Sequence, residues 1–384
     1  MKILLFANTE WYLYNFRLAL ARALRAAGAE VVLISPSGPY GARLQAEGFR
    51  WIALPMERRS LNPFRELLFL LHLVRLYRHE KPDVVHHFTI KCVIYGSLAA
   101  RLAGIQRRIN AVAGMGYVFI SEELRAQLLR PFVRGLMKLA LGGKQSRLVL
   151  QNADDLEMLE QVDLVDADRT VLIPGSGVNT NRFRPADVAV PWPRAFRVFF
   201  AARLLWDKGI QELVDATRLL KAEGVAIECL VAGESDPGNP AAVPQETVQR
   251  WRDEGIVTVL GHVDDMVEWL HQVDVAVLPS YREGMPKSLL EAAACGLPIV
   301  TTDAPGCRQI VKDGVNGLLV RPKDSLALAA AIRRMFENPG ERARMGVAGR
   351  ELVLRQFSED IVLSKTLDVY RDLMPEALES GVVT

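Results

Sequence analysis

Long apolar runs are missing from this chain of 384 residues. The greasiest stretch, Leu67 to Leu71, is broken at His72 and Arg75, far short of the ~20 apolar residues of a membrane span. Cysteine is scarce, and Cys92, Cys229, Cys295 and Cys307 form no CxxC pair; no histidine cluster stands at zinc-ligand spacing. A disulfide scaffold and a zinc module are thereby excluded, and a reduced cytosolic setting is expected. The start, Met1-Lys2-Ile3-Leu4-Leu5-Phe6, lacks the long apolar region of a cleavable signal and reads as a buried first strand. Neither GxGxxG after that strand nor a P-loop GxxxxGK occurs, so dehydrogenase and P-loop readings lose their usual support. Tandem repeats and low-complexity tracts are also lacking.

What is present is a globular composition, 50% hydrophobic and 24% charged, in a chain long enough for two domains. Short apolar runs alternate with helix-period segments: Ile3–Ala7, Glu30–Ser35, Trp51–Leu54, Val84–His86, Arg108–Ala111, Arg147–Gln151 and Val171–Ile173 in the first half. The second half repeats the plan with Val198–Ala202, Ala226–Ala232, Val257–Leu260, Val273–Leu278, Pro298–Thr302 and Gly317–Val320. Near-continuous apolar strands separated by helices, such as Phe16–Ala27 with Gly28 as its stop, mean parallel sheets covered on both faces. Pro185 to Pro193 has no periodicity and reads as a linker. The expectation is an α/β protein of two doubly wound, Rossmann-like domains facing a central cleft. The first is 1–185 and the second 186–365; 366–384 form a C-terminal helix and tail that pack back on the first domain.

The net charge of +2 conceals a polarity. Residues 1–150 carry 22 Lys and Arg against nine Asp and Glu, whereas residues 186–384 carry 22 against 29. A basic first half is expected to meet something anionic.

The richest stretch for chemistry is Leu278-Pro-Ser-Tyr-Arg-Glu283-Gly284-Met285-Pro286-Lys287-Ser-Leu-Leu-Glu291. A buried strand ends, a loop carries Glu283-Gly284, and Pro286 suits the first turn of a helix that stops at Gly296. A helix tip at the carboxyl edge of a parallel sheet is an anion site. Gly284 lets a ligand approach the main chain closely. Glu283 and Glu291 straddle the tip, and their carboxylates are suited to accept hydrogen bonds from sugar hydroxyls. Upstream, Arg203 and Lys208 in ARLLWDKG follow the first strand of this half, where a guanidinium fork and an ammonium can clamp a diphosphate.

These residues, with Asn316-Gly317 in DGVNGLLV, resemble the GT-B-fold glycosyltransferases of family 4, and the resemblance extends over essentially the whole chain. PDVVHHFTIKCVIYGSLAARLAG, NAVAGMGYVF, GSGVNTNRFRP and TTDAPGCRQIV are similar to the subgroup that builds polyprenyl-diphosphate-linked intermediates of bacterial surface polysaccharides, above all its N-acetylgalactosaminyltransferases. The resemblance implies a retaining hexosyltransferase that needs no metal. Arg203 and Lys208 would hold the donor diphosphate, Glu291 the ribose and Glu283 the donor sugar, with Gly284, Met285, Pro286 and Lys287 completing the pocket. There are departures. The family's Gly-Gly loop is replaced by Ala7-Asn8-Thr9-Glu10-Trp11, its HxH by His86-His87-Phe88, and its N-domain histidine has no match near Asn110 to Gly116.

Weaker signals complete the reading. His262 follows a strand and either lines the nucleotide-base pocket or is a plain loop residue. Asp166-Ala-Asp168 is a literal DxD in a polar segment and reads as a solvated turn. His86 and His87 at a strand end either contact acceptor or donor, or belong to the packing. Arg17, at the start of the first helix, is the candidate for an acceptor phosphate. Phe64 to Arg78 and Leu124 to Leu141 are apolar with interspersed cations, and suit either an anionic membrane surface or a core with a basic outer face. The expected partners are a UDP-sugar, a polyprenyl-diphosphate-saccharide and the inner face of the membrane, with no nucleic acid. Competing readings are a UDP-sugar 2-epimerase of the same fold, a family 4 transferase with a soluble acceptor, and an inactive scaffold.

Overall fold

The computed structural model describes residues 1–57, 60, 62–114, 124–187, 194–236 and 239–375, without the side chains of 124–128. Residues 115–119 of NAVAGMGYVF, 188–193 of the Pro-punctuated stretch and the tail from 376 lie outside them. The chain divides into two units, 1–176 with 362–384, and 177–361. The division lies ahead of the expected boundary at 185, for a physical reason. Val178 and Phe183 belong to the core of the second unit, and Arg350 donates to the carbonyls of Thr180 and Phe183.

The first unit holds seven parallel strands: β1 (Lys2–Phe6), β2 (Glu30–Ser35), β3 (Arg50–Ala53), β4 (Val84–Phe88), β5 (Arg108–Val112), β6 (Ser146–Leu150) and β7 (Thr170–Leu172). Their order is β3-β2-β1-β4-β5-β6-β7. The pleat sorts successive residues to opposite faces. Ile3, Leu5 and Val84 enter one cluster, which the helix Glu359–Leu373 completes with Val362, Val369, Tyr370 and Leu373. Leu4, Phe6 and Val85 enter another, under the helices Pro63–Glu80 and Ile90–Ala103.

The second unit holds six: β8 (Phe196–Ala201), β9 (Ile227–Ala232), β10 (Thr258–Gly261), β11 (Val275–Leu278), β12 (Ile299–Thr302) and β13 (Gly317–Val320), ordered β10-β9-β8-β11-β12-β13. One continuous apolar core covers this sheet. All thirteen expected strands are found, in two doubly wound parallel sheets. In each sheet the order reverses beside the first strand, between β1 and β4 and between β8 and β11. Open α/β sheets bind ligands at the carboxyl end of such a switch point. The first helix is less regular than its pattern implies. A short turn Glu10–Tyr12 and a π-helical turn Leu13–Arg17 precede the α-helix Leu18–Ala26.

Candidate active site

At the switch point of the second unit, three glycines bring backbone segments closer than any side chain allows. Gly233 has φ +146°, and a Cβ there would lie 1.9 Å from the carbonyl oxygen of Ala202. The loop after β9 is thereby drawn onto the loop after β8, and Leu204 N–H donates to the Glu234 carbonyl at 3.0 Å. Gly209, at φ +71°, ends the 3-10 turn Trp206–Lys208; a Cβ there would lie 2.0 Å from the Pro279 carbonyl oxygen. Tyr281 N–H and the Ser280 hydroxyl both donate to the Asp207 carbonyl and tie that turn to the end of β11. Gly306, at φ +82°, packs against the Glu283 carbonyl, and Glu283 N–H donates to Pro305.

This scaffold gathers charges. Lys208 Nζ donates to Glu283 Oε1 at 2.6 Å, with the two side chains only 14% and 15% exposed. Arg203 donates to Asp236 Oδ2 at 2.7 Å; here the carboxylate is largely covered and the guanidinium is half exposed. Pro286 caps the helix Lys287–Ala294 rather than occupying its first turn, and Met285 and Gly284 lead into it. Glu291, one turn into that helix, lies 3.9 Å from Lys287. Burial pushes the Glu291 carboxyl up, against the opposing pull of Lys287 and Arg182. Tyr281 donates to Glu212 Oε1 at 2.6 Å, and Lys323 lies over its ring, 5.0 Å from the centroid.

Arg203, Lys208, Glu283 and Glu291, with 284–287 between the two glutamates, thus stand on the carboxyl side of β8 and β11. His262 does not join them. It is exposed beyond β10, the edge strand, with its Nε2 3.5 Å from Asp264. The Asp166-Ala-Asp168 segment is a capped turn, in which Asp166 accepts from Asp168 N–H and pairs with Arg169. Among the described residues no group of three His, Cys, Asp or Glu could hold a metal ion. Asp236 and Tyr281 were not foreseen. A single carboxylate in the irregular loop after β9 carries no spacing signal, and Tyr281 is an unremarked member of a stretch noted for its glutamates.

In the first unit, β4 carries two successive histidines just before its last residue, and the pleat sends them to opposite faces. His87 is fully buried, with Nδ1 2.9 Å from Asn110 Oδ1 and Nε2 3.1 Å from the Tyr77 hydroxyl. Burial lowers its pKa to about 4, despite the Asn110 hydrogen bond. With both ring nitrogens engaged in the interior, His87 has no face for a ligand, which corrects its expected place on the acceptor side. His86 faces the other way, with Nδ1 2.8 Å from the hydroxyl of Tyr370. Burial, then Arg17, then His87 hold its imidazole well below the usual range and so neutral. Arg17 is buried beside it, donating to the Tyr12 hydroxyl at 2.8 Å with its Cζ 4.5 Å from the Phe88 ring centroid.

Comparison with known proteins decides what this scaffold is. A family model described as glycosyl transferases group 1 matches residues 195–338, and one described as glycosyl transferase 4-like matches residues 2–152. The chain belongs to these glycosyltransferases. It is therefore a hexosyltransferase by class, with the GT-B fold. The enzyme is similar to the N,N'-diacetylbacillosaminyl-diphospho-undecaprenol alpha-1,3-N-acetylgalactosaminyltransferase of Campylobacter jejuni, 29% identical over 96% of this chain and 98% of that one. It is also similar to the UDP-Gal:alpha-D-GlcNAc-diphosphoundecaprenol alpha-1,3-galactosyltransferase of Escherichia coli, 25% identical over 89% of each. Anabaena HepE, solved in complex with UDP-glucose, shares the fold with a TM-score of 0.76 at 18% identity, over 98% of this chain and 100% of that one.

Proposed function

We propose that this glycosyltransferase moves an N-acetylhexosamine, first of all N-acetylgalactosamine, from a UDP-sugar to a saccharide carried on polyprenyl diphosphate, with retention at the anomeric carbon and no metal ion. The carrying observation is the covered Lys208–Glu283 pair beside the tip of the helix Lys287–Ala294. The names and full-length similarity of the Campylobacter and Escherichia relatives support the donor and the lipid-linked acceptor.

The chemistry explains the residue types. Breaking the sugar–phosphate bond places negative charge on the β-phosphate, and preorganised positive groups stabilise that charge best. Lys208 supplies a point charge from a largely covered site and Arg203 a fork from a more open one. The N–H groups at the start of the helix and its dipole add to both. When the diphosphate takes Lys208, the Glu283 carboxylate is released to accept from donor-sugar hydroxyls, and Glu291 accepts from the ribose. Bond breaking through an oxocarbenium-like state, with the acceptor hydroxyl attacking the face the nucleotide leaves and passing its proton to the departing β-phosphate, retains configuration. On the acceptor side Arg17 and His86 serve the first unit, and His262 is assigned to the edge of the base pocket.

The acceptor's lipid dictates the location, at the inner face of the cell membrane. No helix of the described residues is long and apolar enough to cross a bilayer. Phe64, Leu67, Leu68 and Leu71 form an exposed stripe on the helix Pro63–Glu80, and the neighbouring helices expose Leu102, Phe132 and Leu139 amid Arg75, Arg78, Arg101 and Lys138. Apolar side chains among cations suit an anionic surface.

The deciding experiment is a panel of nucleotide sugars against polyprenyl-diphosphate saccharides in detergent with EDTA. Transfer from UDP-N-acetylgalactosamine with retention is expected. Failure of every UDP-sugar, with rescue by Mn²⁺, overturns both donor and metal assignments. An epimer formed from UDP-GlcNAc alone would replace the transferase reading by the 2-epimerase.

A further inference from the structure

Three buried polar atoms gather at the carboxyl end of β4 without a partner among the described residues: Arg17 Nε, His86 Nε2 and Thr89 Oγ1. Several buried arginines share the first feature, but among the described residues His86 is the one imidazole with a partnerless buried nitrogen. His86 is 1% exposed. Two of the three flank one ring. The His86 ring centroid is 4.1 Å from that of Phe88, the Arg17 Cζ is 4.5 Å from it, and Thr89 follows Phe88 in the chain. Thr89 adopts φ +74°, ψ 151°, a conformation almost confined to glycine and costly for a β-branched residue. Arg17 closes a π-helical turn, a distortion that clusters at functional sites.

The Tyr370 hydroxyl is fully buried, and His86 Nδ1 at 2.8 Å is its one hydrogen-bond partner among the described residues. Either direction of this bond leaves one buried donor unmet: the phenol hydrogen when Nδ1–H donates, the imidazole N–H when Tyr370 donates to Nδ1. In the second arrangement the neutral ring carries its proton on Nε2, a buried donor with nothing to receive it among the described residues. Arg17 Nε–H is a second such donor, and Arg17 pairs with no carboxylate among the described residues. The other titratable group against the imidazole is His87 on the same strand. Two donors, one of them cationic, lack an anionic oxygen.

We propose that Arg17 Nε–H and His86 Nε2–H form a subsite for a phosphoryl oxygen, and that Tyr370 is the positioning residue that keeps the His86 proton on Nε2. The proposal rests on the reading that the first unit receives a diphosphate-bearing acceptor, and gives that reading its contact atoms. Arg17 supplies the charge, and the neutral imidazole supplies direction without adding a second charge that the interior would have to bear. Thr89 Oγ1 offers a third hydrogen-bonding group to the same oxygen or its neighbour.

The test is long-range ¹H–¹⁵N NMR on the full-length protein with ¹⁵N-labelled histidine, the His86 signal being assigned through His86→Gln. The expected result is an Nε2–H tautomer whose Nε2 shifts on addition of inorganic pyrophosphate, with the shift abolished in Arg17→Met. An Nδ1–H tautomer, or a His86 signal unmoved by millimolar pyrophosphate, overturns the subsite without any variant having to fold. A kinetic arm uses a short-chain prenyl-diphosphate-linked N-acetylglucosamine as acceptor. Tyr370→Phe should raise the acceptor KM up to about tenfold, a factor equal to about 1.4 kcal/mol and at the upper end of what one hydrogen bond contributes, and leave the donor KM unchanged. The two failures are distinguishable. Transfer with an unaltered acceptor KM in Tyr370→Phe sinks the subsite alone, whereas a pyrophosphate-dependent His86 shift in a protein that transfers no sugar sinks the functional reading alone.

Discussion

Replacing Lys208 by Met separates what the lysine does for the fold from what it does for the reaction. Lys208 and Glu283 are 2.6 Å apart, and each side chain has lost about six-sevenths of its access to water. Removing one member of a buried pair leaves the other charge uncompensated, typically at about 3–5 kcal/mol. The residual exposure here argues for the lower end, about 3 kcal/mol. For a unit of this size that lowers Tm by roughly 6–12 °C. Adding Glu283→Gln to Lys208→Met removes the stranded carboxylate and should recover most of the loss. Turnover should behave differently. If Lys208 faces charge that develops on the departing phosphate, kcat falls about 10²–10³-fold, with donor affinity changed far less and no recovery in the double variant. Thermal unfolding and steady-state kinetics on the two variants read both quantities. A Lys208→Met protein as stable as the parent would refute the argument from the buried pair. A loss confined to donor binding would refute the catalytic role.

Other perturbations follow from the same geometry. Glu291→Gln should raise Tm at neutral pH while weakening donor binding. Burial raises the folded carboxyl above its ordinary value near 4.5, so the ionised form costs stability. The gain should be absent in acid, grow as pH climbs past the ordinary carboxyl range and then level off; a gain that shrinks with pH contradicts this account. Gly209→Ala forces a Cβ to within 2.0 Å of the Pro279 carbonyl oxygen at a positive φ, so a loss of at least about 2 kcal/mol and of most activity is expected; a normal urea midpoint would show that the loop yields. Glu80 in the first unit is buried, which alone would raise its pKa, but hydrogen bonds from Arg50 and Lys2 outweigh burial and hold it low. Its contribution is therefore present above the ordinary carboxyl range and lost as pH falls through the depressed value, and Glu80→Gln should flatten the acid limb of the stability curve. Leu67→Glu with Leu68→Glu should weaken binding to anionic vesicles about tenfold or more, by loss of apolar burial; wild-type binding that does not weaken with salt would oppose the electrostatic part.

The parts of this molecule that were legible in the sequence are those encoded locally. Each parallel strand is a short apolar run between helix-period segments, so thirteen strands could be placed within a few residues of their observed ends. ARLLWDKG and EGMPKSLLE are strand end, turn and helix tip in one stretch, and their side chains meet because β8 and β11 are neighbours. Where a position depends on distant chain, the pattern is silent. Tyr370 reaches His86 from 284 positions away, and Asp236 finds Arg203 only because Gly233 lets two loops touch. The His86 and His87 assignments failed to separate for a smaller reason. The expected strand stopped at His86, whereas β4 continues to Phe88. Extended by two residues, its alternation would have sent the two imidazoles to opposite faces. The π turn and the positive φ of Thr89 have no signature in residue type, since neither leucine nor threonine favours them.

The resting charge arrangement bears on how the donor is captured. Each of the two cations assigned to the diphosphate is already matched by a carboxylate, Lys208 by Glu283 and Arg203 by Asp236. The paired site therefore projects little net field, and a nucleotide sugar gains only the difference between two sets of partners. Two free cations would make donor binding strongly dependent on ionic strength; two pre-formed pairs should make it weakly so. The exchange also favours the intact donor over the product nucleotide. A UDP-sugar brings hydroxyls to the carboxylate that Lys208 gives up, whereas UDP alone leaves Glu283 stranded in a largely covered site. Glu283→Gln should then shrink the preference for the UDP-sugar over UDP, which calorimetric affinities for the two ligands can measure. A preference unchanged in Glu283→Gln would mean that Glu283 never leaves Lys208, and its contact with the sugar would have to be abandoned.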